Sequence, residues 1–563
     1  MPVAIASQAH DAALKRRLAL ASSTGPMAAF QNLRVVGICL FACIGGLLYG
    51  YNQGVFSGVL TMTSFGNHMG DYIQNSTKKG WLTSILELGA WFGTLYSGFV
   101  AESFSRKYAI LFSTGIFILG VVIQCTGVTS AGANSILAGR FIVGMGVGAL
   151  SMIVPMLIID NAECAPPEIR GLLISLQQLS IEFGILISFW IDYGTNYIGG
   201  TGETQSDAAW LVPLCLQLVP AVILFVGMIF MPFSPRWLVH HDREEEARRV
   251  IRTLRGNVPN ADEVVELEFL EIKAQSLFEK RSTAEKFPHL AEPTVWNNLK
   301  LQFVAIGSLF TSMPMFKRVI VSTVTMFFQQ WTGINAVLYY APTIFNDLGL
   351  SGNTTSLLAT GVVGIVMFLT TIPVMFYIDR FGRKPILISG ALAMGFNHLV
   401  IAVIFARDSN NWPDYRAAGW AAIVMVWLFA GNFGWSWGPC AWIVVAEVWP
   451  LSARPYGIAL GASSNWMNNF IVGQVTPDMI THLKYGTFIF FGVMIILGAG
   501  FVYFFVPETK QLTLEEMDVI FGSQGFAAAD QERLDQIYRE LGLTDRISDT
   551  EAVEVKEHDI KAE

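Results

Sequence analysis

The chain has 563 residues, of which 53% are hydrophobic and only 14% are charged, and its mean hydropathy is +0.47. This composition excludes a soluble globular protein, because a soluble domain of this size does not bury so much apolar surface, and it indicates a membrane protein. The net charge of −8 lies largely in loops and in an acidic tail, so it indicates no particular partner and gives no support for nucleic-acid binding.

Twelve apolar stretches are long enough to cross a bilayer. Because a backbone in lipid must satisfy its own hydrogen bonds, we expect each stretch to be a helix. The predicted spans are 35–57, 82–103, 108–128, 135–158, 172–194, 210–231, 319–341, 357–378, 385–406, 418–441, 456–474 and 485–506. The six cysteines lie in these spans or at their ends, so we interpret them as small apolar residues and not as a disulfide framework.

Three short motifs occur twice in the same order, about half the chain apart. They are GFVAESFSRK (98–107) with YIDRFGRK (377–384), NAECAPPEIRG (161–171) with AEVWPLSAR (446–454), and PFSPR (232–236) with PETK (507–510). Such a repeat predicts two six-helix halves related by an axis along the membrane normal. The predicted fold class is therefore an all-α membrane protein with twelve transmembrane helices in two halves.

The predicted domain organisation follows from the same pattern. A cytoplasmic N-terminal segment, the first half, a helical cytoplasmic linker, the second half and a cytoplasmic tail occupy residues 1–34, 35–232, 233–318, 319–506 and 507–563. With both termini inside, the outer loops hold few basic residues, as the positive-inside rule requires. The glycosylation sequons at Asn75 and Asn353 both fall on the outer side, which supports this orientation.

Seven stretches, five of which overlap the repeated motifs, carry a resemblance to a known family. They are QQWTGINAVLYYAP (329–342), GRFIVGMGVG (139–148), APPEIRG (165–171), SPRWL (234–238), YIDRFGRK (377–384), GPCAWIVVAEVWP (438–450) and VPETK (506–510). Together and in this order, they resemble the sugar porters of the major facilitator superfamily, most closely the fungal ones, over roughly residues 35–520. The resemblance implies a transporter in the plasma membrane that moves a monosaccharide, a hexose or a pentose, by alternating access.

A sugar site needs amides, which both donate and accept hydrogen bonds, and flat aromatic rings. The spacing of Gln330, Asn335 and Tyr339 allows them to share one wall of a cavity. The resemblance adds the other positions. The complete predicted substrate site is Gln178, Gln329, Gln330, Asn335, Tyr339, Trp442, Asn465 and Trp466. The alternative for buried amides is that they only join helices to one another.

The repeated acid–base motifs predict a gate. In the family, such charges form ion pairs on the inner side that break when the halves move. The predicted gating residues are Glu102, Arg106, Glu163 and Arg170 in the first half and Asp379, Arg383, Glu447 and Arg454 in the second. The alternative is that these charges only anchor the loops to lipid headgroups.

Three residues are candidates for coupling transport to protons. In proton-coupled relatives the position of Asn52 is usually Asp and faces the arginine that corresponds to Arg140, so an asparagine favours uniport. Glu182 follows Gln178 by one helical turn and is a carboxylate at membrane depth. It could carry a proton, accept a sugar hydroxyl or pair with Arg140, and Glu87 is a weaker candidate of the same kind.

Three departures from the family pattern affect these expectations. Ser103 and Ser105 replace an Arg and a Gly in the first-half gate, and Met367 replaces a sugar-facing Asn. The segment from Pro155 to Glu163 is three residues longer than in the family, and either a bulge absorbs it or the sequence contains a gene-model error.

The expected function is sugar uniport. The alternatives are a proton symporter that uses Glu182, a sugar sensor that transports little, and a polyol or quinate porter. The expected partners are the sugar, the lipid bilayer and, for a symporter, protons. We expect no cofactor and no enzymatic activity, because the sequence contains no metal-ligand cluster, phosphate-binding loop or nucleophile–base set.

Overall fold

The computed structural model describes residues 33–128, 132–162, 167–255, 261–290, 294–349, 353–409, 412, 414–450, 452–510, 514–522 and 526–543. Within these ranges the chain forms twelve long helical segments of spanning length. In the first half they are α1 (Leu33–Ala42 continuing as Ile44–Val59), α2 (Ser76–Ser103), α3 (Arg106–Cys125), α4 (Gly132–Ala162), α5 (Pro167–Thr195) and α6 (Ala208–Leu216 continuing as Leu218–Phe230). In the second half they are α7 (Met313–Trp331 and Ile334–Asp347), α8 (Asn353–Phe381), α9 (Arg383–Asp408), α10 (Arg416–Trp435 and Trp437–Glu447), α11 (Arg454–Leu483) and α12 (Gly486–Phe505).

The polarity of these helices follows their position. By length and composition, eight segments of the described chain are apolar enough to cross a membrane, or nine if a bent pair that includes α7 is one span. The long helices α2, α5 and α11 do not pass that test. These three helices form the seam between the halves, where α2 packs on α11 and α5 packs on α8. Helices at the seam face protein on more sides than lipid, so they can carry polar residues.

Close backbone contacts hold each half together. A Cβ atom on Gly50 of α1 would lie 1.9 Å from the carbonyl oxygen of Ile181 in α5, so only glycine permits this approach. In α4, Gly148 makes a similar approach to Ala90 of α2. The five cysteines that the structure describes are free thiols, and the Sγ atoms of Cys125 and Cys215 are 2.8 Å apart.

Six helices outside these twelve cover one end of the bundle, which we call the linker end. They are Pro235–His240, Glu244–Arg255, Ala261–Lys286 and Val295–Ser308, followed after α12 by Leu514–Phe521 and Phe526–Glu540. The tail helix Phe526–Glu540 packs on the linker helix Ala261–Lys286, where Arg281 pairs with Glu540 at 2.6 Å and Arg533 pairs with Glu285 at 2.6 Å. The tail helix Phe526–Glu540 is therefore part of the packed structure at the linker end.

One ion pair fixes the tail to the second half. The guanidinium of Arg318, near the start of α7, lies 2.5 Å from Asp518 in the helix Leu514–Phe521, and both side chains are almost fully buried. A buried pair of this kind is costly to break, because the remaining charge would be left without its partner.

Candidate substrate site at the seam

The centre of the candidate site is a break in α7. The predicted single helix ends at Trp331 and restarts at Ile334, because Gly333 adopts a left-handed conformation with φ of +87°. A side chain there would clash with the ring of Phe491. The break brings the end of one half-helix next to the start of the other, so that the Asn335 amide donates a hydrogen bond to Gln330. The structure therefore brings together this predicted pair.

Gln329 is held by three hydrogen bonds within the second half. Its Nε2 donates to the carbonyl oxygens of Trp437, at 2.9 Å, and Gly438, at 3.2 Å, where α10 restarts after its own break. Its Oε1 accepts from the Asn465 amide of α11 at 2.6 Å. Gln329 therefore orients Asn465, whose Oδ1 is buried and has no protein partner among the described residues.

Tyr339 does not contact the Gln330–Asn335 pair through a hydrogen bond. Its hydroxyl donates to Asn469 Oδ1 of α11 at 2.9 Å, and the Nδ2 of Asn469 is buried without a protein partner in the described chain. Our sequence interpretation missed Asn469. The signal was present, because Asn469 follows Asn465 by one helical turn and must lie on the same face of α11.

The first half contributes Gln178 and Glu182. As their spacing predicts, Gln178 Nε2 donates to Glu182 Oε1 at 2.9 Å, and the second carboxylate oxygen of Glu182 has no hydrogen-bond partner in the described structure. Glu182 is 2% exposed, whereas Gln178 is half-buried. Buried polar atoms without a partner are the atoms that a bound polyhydroxylated ligand or a water molecule would satisfy.

Aromatic rings join the two halves beside these amides. Trp466 of α11 donates to Ser151 Oγ of α4 at 3.3 Å, and its ring centroid lies 5.0 Å from that of Tyr49 in α1. Trp91 of α2 donates to Ser463 Oγ at 2.8 Å. Trp442 is half-buried on the half-helix Trp437–Glu447, whose first carbonyl groups hold Gln329. Tyr49 and Trp91 are seam residues that the sequence did not single out.

The predicted contact between Asn52 and Arg140 is not a hydrogen bond. Asn52 donates to the Leu48 carbonyl oxygen at 2.9 Å within α1, and its Oδ1 has no partner among the described residues. Arg140 donates to the Thr83 carbonyl oxygen at 2.8 Å and stacks over the Phe56 ring at 3.8 Å. Phe56 follows Asn52 by one turn, so the two residues share a face of α1.

Glu87 is the carboxylate that interacts electrostatically with Arg140. Glu87 is fully buried in α2. Neither of its carboxylate oxygens has a hydrogen-bond partner in the described structure. Tyr339 and Tyr49 face it from α7 and α1. In the described chain the hydrogen bond of Glu182 is to Gln178 instead, which gives no support to the alternative in which Glu182 pairs with Arg140.

The ion pairs of the predicted gate that the structure describes join residues of the same half. Arg383 pairs with Glu447 at 2.8 Å, and Arg106 pairs with Glu102 at 3.4 Å. Arg454 is close enough to Glu447 for their charges to interact. Glu163 lies outside the described residues, as do the side chains of Arg170 and Asp379. Helix α4 runs unbroken from Gly132 through Pro155 to Ala162, so the described part of the longer segment is helical.

The end of the seam away from the linker is closed by hydrogen bonds between the halves. Ser76 and Thr77 of α2 both donate to Asp478 of α11, the second at 3.0 Å. Two turns further along α2, the Ser84 hydroxyl donates to Gln474 Oε1 of α11 at 3.0 Å. Asn75 caps the start of α2 by accepting from the Lys78 backbone, and it is exposed; the side chain of Asn353 lies outside the described part.

Of two hollows in the described structure, one of about 410 Å³ lies between α2 and α4, and one of about 420 Å³ lies between α1 and the linker helix Glu244–Arg255. They are lined mostly by apolar side chains, such as Trp81 and Phe141 in one and Ile38 and Met231 in the other. Neither hollow contains a predicted substrate residue. We therefore place the candidate site at the seam.

The chain is similar to proteins of known type over most of its length. A family model described as "Sugar (and other) transporter" matches residues 38–521. A probable quinate permease from Aspergillus niger is 32% identical over 517 residues, which is 90% of this chain and 92% of the relative. A glucose transporter of the major facilitator superfamily from Aspergillus flavus is 34% identical over 508 residues, which is 86% of this chain and 89% of the relative.

Solved structures of the xylose transporter XylE from E. coli have the same fold. The inward-open form has a TM-score of 0.68 at 26% identity and covers 86% of this chain and 99% of that one. XylE bound to 6-bromo-6-deoxy-D-glucose, described as a proton:xylose symporter, has a TM-score of 0.67 at 27% identity, with the same coverage. These similarities confirm the predicted twelve-helix fold, and the matched proteins are transporters and not enzymes.

Proposed function

Since this chain belongs to the sugar transporter family of the major facilitator superfamily, we propose that it moves a neutral monosaccharide, a hexose or a pentose, by alternating access. The observation that carries the proposal is the amide cluster at the α7 break. Gln329 orients Asn465, Gln330 and Asn335 are paired beside them, and Asn465 Oδ1 has an unused acceptor site. Amide groups positioned in this way complement the hydroxyls of a sugar ring.

The charges at the seam favour a neutral substrate over quinate, although several relatives are named quinate permeases. Quinate carries a carboxylate. Among the described residues of the seam helices, Glu87 of α2 and Glu182 and Asp192 of α5 are buried carboxylates, and the buried guanidinium of Arg140 in α4 interacts with Glu87. An anion entering this low-dielectric region would be repelled by Glu182, whereas a sugar hydroxyl could donate to its unpartnered oxygen. A neutral polyol would satisfy the same site and is a second candidate.

For the mode of transport we propose uniport. The side chain of Asn52 has no ionisable group, and this supports uniport. Proton symport is the second candidate, supported by the buried carboxylates Glu87 and Glu182, because an ionisable residue at membrane depth is a functional candidate by default.

We further propose that the linker and both termini are cytoplasmic and that the protein lies in the plasma membrane. In that orientation the hydrogen bonds between α2 and α11 close the outer side of the seam. The ranges 1–34, 35–232, 233–318, 319–506 and 507–563 are proposed as N-terminal segment, first half, linker, second half and tail.

The test is uptake of labelled glucose, xylose and quinate in a yeast strain that lacks its own sugar transporters, at acidic and at neutral pH, with and without a protonophore. We expect equilibrating uptake of glucose or xylose and none of quinate. Accumulation that a protonophore abolishes would select symport. Quinate uptake without sugar uptake would contradict the neutral substrate, and a chain that reaches the surface but transports nothing would favour the sensor.

A further inference from the structure

The helix Val295–Ser308 does not run in the direction of the spanning helices. Its axis over Trp296–Ser308 makes an angle of 98° with the following segment Met313–Asp347, which contains α7. Since α7 crosses the membrane, a helix almost perpendicular to it runs close to the membrane plane. A helix of 14 residues with this direction is about 21 Å long and crosses the end of the bundle instead of projecting from it.

The outward face of this helix is apolar. Trp296, Phe303 and Val304 are 62%, 72% and 40% exposed. Together with the exposed residues Lys300 and Gly307, they recur at intervals of three and four residues and form one stripe. Ala305 on the inward face is 2% exposed. This is the reverse of the pattern of a helix in water, in which the apolar face packs inward.

The stripe also has the chemistry of a membrane interface. The Lys300 ammonium lies 5.2 Å from the centre of the Trp296 ring. Tryptophan is enriched at the level of the headgroups, and lysine extends its charge from there into water. Beyond the helix, Phe310 and Met313 are 50% and 67% exposed, so the apolar surface continues onto the lipid-facing start of α7.

We propose that Val295–Ser308 is an interfacial helix that lies in the headgroup layer and binds the bilayer through the stripe Trp296, Lys300, Phe303, Val304 and Gly307. Its inward face contacts α2 of the first half and α11 of the second, so it crosses the seam at the linker end. On the α2 side, the Gln302 amide packs against Gly98. This part of the predicted cytoplasmic linker thus belongs to the membrane surface, whichever substrate the protein carries.

The exposed apolar surface of the stripe continues onto the lipid-facing start of α7, so we infer that its partner is lipid and not a protein. A docking surface for a soluble protein would be bounded by polar residues. Here the exposed side chains that follow, Phe310, Met313 and Phe316, belong to a segment entering the bilayer. The interfacial arrangement buries the stripe together with them, and the Lys300 charge stays at the surface.

The experiment measures depth with an environment-sensitive fluorophore on single added cysteines. The full chain is reconstituted in vesicles of phosphatidylcholine with an anionic phospholipid, carrying Phe303→Cys or Val304→Cys. The chain without an added cysteine is labelled in the same way, and it gives the background from the six native cysteines. Asp262→Cys, on an exposed linker position, is the control for water, and Leu497→Cys, in the middle of α12, is the control for the bilayer core.

We expect the labels at positions 303 and 304 to emit at shorter wavelength than the label at 262. We also expect them to be quenched by nitroxides placed near the headgroups and shielded from aqueous iodide. The label at 497 should respond to deep nitroxides. If either stripe variant fails to fold, the other still gives the answer. Iodide quenching at the stripe equal to that at position 262 would place the helix in water and overturn the proposal.

Discussion

The guanidinium of Arg140 stacks over the ring of Phe56 at 3.8 Å, one helical turn from Asn52. Two of its nitrogens, Nε and Nη1, are buried without a hydrogen-bond partner in the described structure, and so is the Oδ1 of Asn52. The arginine is therefore held by the Phe56 ring of α1 and the Thr83 carbonyl oxygen of α2, and not by the Asn52 amide.

Asn52→Asp should introduce a pH dependence of uptake. The substitution places an ionisable group on the face of α1 that Arg140 contacts, and the attraction between them would depend on protonation. The measurement is initial uptake at acidic and neutral pH, with Asn52→Leu as a control that also loses the amide but cannot titrate. An Asp variant with the pH response of the Leu variant would show that the position is not coupled to Arg140.

Gln330→Ala should reduce uptake while the protein still reaches the membrane, because Asn335 loses the acceptor that orients it across the α7 break. Trp442→Ala should do the same if its ring lines the substrate path. The matched control is Gln217→Ala, a buried amide whose hydrogen bond to Gln124 lies within the first half. Normal uptake by both the Gln330→Ala and the Trp442→Ala variant would contradict the proposed binding site.

Glu87→Gln should destabilise the fold more than Glu182→Gln. Removing the carboxylate leaves the buried Arg140 charge without its electrostatic partner, at a cost on the order of 3 kcal/mol. Glu182→Gln retains a polar group beside Gln178 and should cost about 1 kcal/mol or less, with a higher KM for sugar instead. Thermal unfolding in detergent and uptake kinetics measure the two effects. Equal stability losses would contradict the assignment of Glu87 to Arg140.

Ser105→Gly should stabilise the protein by about 1 kcal/mol. Ser105 precedes α3 with φ of +122°, a conformation that favours glycine, and Gly382 occupies the equivalent position before α9 with φ of +88°. The hydroxyl of Ser105 caps the Tyr108 amide, and losing that cap to glycine costs only a few tenths of a kcal/mol. A higher midpoint of thermal unfolding is the expected result. The reciprocal change Gly382→Ala should lower it, because the new Cβ would meet Glu508.

Acidic pH should destabilise the linker end, because His241 is then protonated. Burial holds the pKa of His241 below its ordinary value of 6.5, and the ring stacks on Trp237 at 4.2 Å. A depressed pKa means that the unfolded state binds the proton more readily, so this stability is complete above about pH 6.5 and is lost as the pH falls. His241→Gln should flatten the decrease in unfolding temperature between about pH 7.5 and pH 5.5. His289→Gln, at an exposed histidine, is the control and should not.

Hydropathy and the repeated motifs were enough to predict the twelve helices, because lipid leaves a spanning backbone few alternatives. Helical spacing predicted that Glu182 lies beside Gln178, whereas Gln178 itself was assigned to the site by the family resemblance. The break at Gly333 places Gln330 on one half-helix and Asn335 and Tyr339 on the other, and spacing alone cannot reveal it, since one left-handed residue redirects the helix. Glu87 was underrated for a similar reason, because its interaction with Arg140 joins residues of two different helices.

The amides at the candidate site are distributed unequally between the halves. Gln329, Gln330, Asn335 and Asn465 form hydrogen bonds within the second half, and Trp466 reaches across to Ser151. Most of the polar groups that we propose for the site belong to the second half, and the first half adds Gln178 and Glu182. Exchanging α7, α10 and α11 for those of a relative with another substrate should therefore transfer selectivity as one block, with the first half unchanged.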